Sequence, residues 1–181
     1  MNFLEKIWMV LRRPSQLFPE IGLEEVKDSL IYYFILLIFF SAMYSMITFA
    51  FLNFGIIQVP ELVGKPGLQA VFLNYCLQIF LVLIFFGGAG IFVYAAWLHL
   101  WIYVFGGRES YIETLKSTIY SLTPVFLFGW VPIVSLILWI WYLILQLFSI
   151  SQLHRIPLSH AFFAFLISLV PIFSAFAFLQ I

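Results

Sequence analysis

The chain has 181 residues, eight Lys and Arg against eight Asp and Glu, a formal net charge of zero, and a composition that is 65% hydrophobic and 21% aromatic. A soluble domain is roughly half apolar and a quarter charged, and about 30% of the surface of an unfolded chain this long stays in water after folding; this composition therefore excludes a water-soluble core and makes lipid the solvent. The neutral balance speaks against nucleic-acid binding, which needs clustered cations to displace counterions, and the single Cys76 allows neither an internal disulfide nor a cysteine metal site.

Residues 1–28 hold the densest charge. They lack the apolar stretch of about 7–15 residues and the small-residue cleavage site of a signal peptide. Phe3, Leu4, Ile7, Trp8 and Leu11 share one helical face bordered by Glu5, Lys6, Arg12 and Arg13. That pattern suits a short amphipathic helix in the cytoplasmic interface, and packing on a helix bundle would satisfy it equally. Pro14 ends the helix, because the residue before a proline is driven out of the α region.

Residues 29–59, 66–107, 117–154 and 156–181 carry no Asp, Glu, Lys or Arg. A spanning helix needs roughly 20 apolar residues to cross about 30 Å of hydrocarbon, and lipid forces every backbone group to find its partner internally. The runs are continuously apolar and do not alternate as barrel strands do, so they are helices. The spans are expected at residues 30–52, 68–105, 115–130, 133–149 and 159–179, with a loop over 60–67 and with Pro124, Gly129 and Pro132 separating the third from the fourth. Pro124 should bend the third span, since its ring clashes with the carbonyl of Tyr120.

The second span is the ambiguous one. Its 38 residues would make about 57 Å of helix at ~1.5 Å per residue, nearly twice the hydrocarbon thickness. It is either one long helix or a hairpin turning at Gly87-Gly88-Ala89-Gly90. Cations near span ends concentrate on the cytoplasmic side. One helix puts Lys6, Arg12, Arg13, Lys27, Arg108, Lys116 and Arg155 on one side and Lys65 alone on the other, whereas a hairpin divides the eight equally. A tight turn in lipid would also strand backbone groups. The expectation is an all-α integral membrane protein. Residues 1–28 form a cytoplasmic amphipathic segment, and residues 29–181 a five-span helix bundle whose C-terminus is external.

In that order and spacing, several landmarks resemble the Yip-domain family, multipass membrane proteins whose eukaryotic members interact with Rab-type GTPases. They are the amphipathic lead into Pro14, Leu17-Phe18 and Ile21, His99 with the Gly106-Gly107 turn, and Thr114 with Lys116. Tyr120-Ser121-Leu122-Thr123-Pro124, Trp139 and the run from His154-Arg155-Ile156-Pro157 to Leu158-Ser159-His160-Ala161 complete the likeness, which covers nearly the whole chain. The resemblance implies a five-span Yip-type domain with a cytoplasmic N-terminus. The short N-terminal segment, and Ser149 to Ser151 where a glycine is usual, resemble prokaryotic members in a cell membrane more than the GTPase-recruiting ones.

Ionisable residues at membrane depth mark function by default, and here the spans offer only His99 and the marginal Glu113 and Lys116, which lowers proton pumps and ion-coupled carriers. No His-x-x-x-His spacing supports a metal, no serine has a base at a recognisable spacing, and neither a phosphate loop nor a dinucleotide motif is present. The expectation is no catalysis, no cofactor and no metal. Topology and resemblance together gather His99, Arg108, Glu109, Glu113, Lys116, His154, Arg155 and His160 on the cytoplasmic side. That face suits anionic lipid headgroups or a partner, and topological anchoring explains the same residues. Gly87, Gly88, Ala89, Gly90, Ala95 and Ala96, and Ala161, Ala164 and Ser168 in the fifth span, supply small-residue packing surfaces. The deep amides Gln78 and Gln146 each need a partner. The expected function is membrane organisation or partner recruitment, by a protein set in the bilayer and able to associate with itself or another membrane protein. The alternative is transport of a neutral or lipid-like molecule, or lipid scrambling, along a polar path lined by Asn74, Gln78 and Gln146.

Overall fold

The computed structural model describes residues 1–58 and 67–179, apart from the side chains of residues 68 and 171–179, and these residues form eight helices with no strand among them. Residues 60–66 of the expected loop, Lys65 with them, and the C-terminal Gln180 and Ile181 lie outside the described residues.

Helix α1 (Phe3–Arg12) starts at a capping box in which Asn2 Oδ1 accepts the Glu5 amide at 2.8 Å and the Glu5 carboxylate accepts the Asn2 amide. Pro14 ends α1 and opens α2 (Pro14–Gly22) at a position where a missing N–H costs nothing. Helix α2 lies inside the charged segment and buries Leu17, Phe18 and Ile21 completely. The expected apolar face of α1 divides. Phe3 and Ile7 pack on the bundle beside the buried Val10 and Lys6, with the Phe3 and Tyr32 rings 5.3 Å apart, whereas Leu4 and Trp8 stay exposed.

Among the described residues, three helices are long and apolar enough to cross a membrane: α3 (Val26–Asn53), α4 (Leu68–Val104) and α7 (Pro132–Leu153). Helix α4 is a single run of 37 residues, about 55 Å. Its glycines do not turn the chain; they let α3 approach. A Cβ on Gly87 would stand 2.7 Å from Leu37 Cδ1, and the Tyr33 hydroxyl donates to the Gly87 carbonyl at 2.9 Å. Gly88 faces the Phe34 ring at 3.3 Å, and Gly90 faces nothing within 4 Å. The small-residue surface is thus narrower than the sequence pattern indicates.

The expected third span breaks at Leu122 into α5 (Tyr111–Ser121) and α6 (Thr123–Phe128), with Pro124 in the first turn of α6. Every residue from Thr114 to Ser121 is buried, so α5 beyond its first turn is enclosed on all sides, with α2, α3, α4 and α7 against it. Helix α8 (Leu158–Leu179) seats Ala161, Ala164 and Phe165 against Leu98, Ile102 and Ile150.

Polarity is inverted relative to a soluble fold. Ser117, Thr118, Ser121, Thr123, Gln146 and Ser149 are inside, while Phe85, Phe86 and Val93 on α4 and Ile133, Leu136, Ile137 and Ile140 on α7 face outward. In lipid an outward apolar side chain has nothing to gain from burial, whereas an inward hydroxyl avoids facing hydrocarbon without a partner.

Candidate functional site

The expected cytoplasmic residues converge where α4 ends, the 105–110 loop turns, α5 begins and α7 passes to α8. Gly106 makes the turn at φ 98°, and a Cβ on Gly107 would collide with Ile102 Cγ2 at 2.4 Å. Only glycines fit this close fold-back.

The structure divides the eight residues into two groups. His99 and His154 are joined inside by one hydroxyl, with Thr114 Oγ1 2.7 Å from His99 Nδ1 and 2.9 Å from His154 Nε2. His154 is 3% exposed, and its Nδ1 has no partner. A buried N–H without an acceptor costs more than a bare lone pair, so the neutral tautomer carries its proton on Nε2 and donates to Thr114, which donates on to His99. Burial, and secondarily the neighbouring His99, pulls the His154 pKa down to about 4. Lys116 is 2% exposed and donates to the Gly22 carbonyl at 2.9 Å, with the Glu113 carboxylate 3.4 Å away. It therefore caps the C-terminus of α2. Lys116 and His154 were expected at the headgroup surface; both are buried, because α5 occupies the centre of the bundle and its polar side chains find partners there.

The second group stays outside. The Arg108 guanidinium lies 4.2 Å over the Tyr103 ring and donates to the Tyr103 carbonyl at 2.9 Å. His160 donates from Nδ1 to the Phe105 carbonyl at 3.0 Å. Arg155 pairs with Glu109 at 3.6 Å, and its side chain is 84% exposed. Its backbone is in the left-handed region, at φ 54°. It stands just past the end of α7, where the Ile156 amide reaches back to the Ser151 carbonyl at 3.1 Å, a closure that normally employs glycine.

Two further polar clusters are not visible in the sequence pattern. Glu24 accepts from Lys6 and, at 2.5 Å, from the Tyr120 hydroxyl, while Tyr32 shares a 2.9 Å hydrogen bond with Thr123 and stacks on Tyr120. The partners lie 18 and 96 positions apart, so helical periodicity carries no signal for them. Deeper in, Gln146 Nε2 donates to Ser117 at 3.0 Å, Ser117 and Ser149 are 2.5 Å apart, and Ser121 lies 3.1 Å from Ser149. Gln78 and Asn74 are exposed on α4 and do not join them. Gln146 thus finds on α5 a hydroxyl for its Nε2, while its Oε1 has no partner among the described residues. Among the described residues, no three His, Cys, Asp or Glu are placed to hold a metal ion.

No curated protein and no solved structure matches the chain. The family model of the Yip1 domain does match it, over residues 8–179, which takes in all of the helices from α2 to α8. Together with the outward apolar faces of α3, α4 and α7, this makes the chain a multipass membrane protein, and it belongs to the Yip1 domain family.

Proposed function

We propose that the chain is a non-catalytic, five-span membrane organiser, set in a prokaryotic cell membrane, whose cytoplasmic end engages anionic lipid headgroups or the acidic surface of a membrane partner. The spans are α3, α4, the α5–α6 pair, α7 and α8, with α1 at the cytoplasmic interface through Leu4 and Trp8. The observation that carries the reading is Arg155. Its backbone holds a conformation that costs roughly 1–2 kcal/mol for a residue with a Cβ, yet its guanidinium is spent on no interior contact. Strain kept at a surface position points to a use for the side chain, and Arg108, Glu109 and His160 stand on the same end. The carrier reading is weakened by Gln78 and Asn74 lying on the outside and by Ser117, Ser121 and Ser149 bonding one another.

Two results are expected. Arg155→Gly should raise stability by up to about 1 kcal/mol by relieving the backbone, while Arg108→Gln with Arg155→Gln should lower retention of phosphatidylglycerol and leave the melting temperature unchanged. Unchanged retention in the double variant would reduce these cations to topology signals. The five-span topology is tested by single cysteines at Ile56 and Ser110, with Cys76 replaced by Ala. An impermeant thiol reagent should reach them from opposite sides of the membrane, and labelling of both from one side would overturn the topology.

A further inference from the structure

A groove of about 600 Å³ opens between α3, α4 and α7, level with the middle of α4, lined by Leu37, Phe40, Phe86, Gly90, Tyr142 and Leu143 among others. Its volume is in the ~300–1,000 Å³ range of small-ligand sites. No charged residue lines it, and three of its hydroxyls already donate within the bundle. Tyr33 donates to the Gly87 carbonyl, Thr118 to the Thr114 carbonyl, and Tyr142 to Tyr94. The Trp139 indole and the Tyr94 hydroxyl are the donors left over, so the wall is almost wholly apolar and offers a polar substrate little.

Gly90 is the second observation. A glycine inside a helix weakens it, and Gly87 shows the usual compensation, a close helix approach. Gly90 has none, since a Cβ there would meet nothing within 4 Å. The floor of the groove is therefore open helix backbone, uncovered by any protein atom. The helices around it, α3, α4 and α7, are each long and apolar enough to cross the membrane, and Val82 and Phe86 at its edge face outward. What surrounds the groove is hydrocarbon. We infer that it holds one acyl chain of a bilayer phospholipid as a resident ligand, packed over Gly90 between α3 and α7. The inference rests on the membrane placement of these helices and is independent of the headgroup-binding role of Arg108 and Arg155.

The test uses the full chain in mild detergent, reloaded with dioleoyl phosphatidylcholine, with retained lipid and oligomeric state read by native mass spectrometry. Wild type should hold a tightly bound phospholipid; Gly90→Leu, which fills the groove without touching backbone, should lower its retention about tenfold or more. Ala89→Leu, on the adjoining face, should match wild type, as should Arg108→Gln with Arg155→Gln. A folded Gly90→Leu chain that keeps the lipid would overturn the inference. So would a lipid-free wild-type dimer that Gly90→Leu converts to monomer, since the occupant would then be a second copy. Should Gly90→Leu not fold, Val82→Phe narrows the same groove and is read by the same criteria.

Discussion

Replacing Glu24 by Ala is expected to cost the folded chain about 3–5 kcal/mol, the range for breaking a buried ion pair from one side. Glu24 is the common acceptor for Lys6 and Tyr120, and the Lys6 and Glu24 side chains are only 8% and 14% exposed. Without the carboxylate, the Lys6 ammonium stays beneath α1, held only by its positions 5.9 Å from the Tyr32 and Tyr120 ring centroids, and the Tyr120 hydroxyl loses its acceptor. The cheapest escape is for α1 to lift away. Loss of melting temperature should therefore accompany faster tryptic cleavage after Lys6 and Arg12. Replacing both charges, Lys6→Met with Glu24→Leu, should recover most of the loss, because removing a buried pair together is near neutral where removing half is not. An Ala variant that melts within about 1 kcal/mol of wild type would show that the pair is solvated and that α1 is held by Phe3, Ile7 and Val10 instead.

Acid is expected to destabilise the bundle through His154. Its pKa in the folded chain, about 4, lies below the ordinary value of 6.5. Between these values the unfolded chain binds a proton that the folded chain refuses, so stability is complete above about pH 6.5 and falls as the pH drops toward 4. Below that, both states are protonated and the loss stops. At about 1.4 kcal/mol per unit the loss is about 3 kcal/mol. Protonation puts a second N–H on Nδ1, which has no acceptor, beside His99 and against Gly107. The measurement is the melting temperature at pH 7.5 and 4.5 for wild type and His154→Asn. The variant should lose most of the difference, and an undiminished acid effect would assign it to other groups.

The architecture of the helices was legible in the sequence for a simple reason. In lipid, length and continuity of apolar character determine what can span, and a backbone turn in hydrocarbon is too costly to occur. That argument made residues 68–105 one helix, and α4 follows it; Pro124 was expected only to bend the third span, which instead divides at Leu122 into α5 and α6. Apolar continuity missed α2, a nine-residue helix in the charged segment, because its burial against α5 and α7 supplies what its own composition does not.

The site was legible only as a neighbourhood. Topology places Arg108, Lys116, His154 and Arg155 at one end of the bundle, but it cannot say which of them point inward. Periodicity reports the face of each helix, and which helix the others surround depends on packing. Enclosure of α5 turned Lys116 from a surface cation into the cap of α2, and His154 from a headgroup contact into the end of a Thr114 relay. Arg155, past the end of α7, stays outside in a strained turn. Composition and apolar continuity were enough for the solvent, the long helices and the end at which the charges gather. Which polar groups are buried was settled by tertiary packing, because in a membrane the bundle's centre goes to the helix whose hydroxyls and ammonium find partners on the helices around it, here α2, α4 and α7.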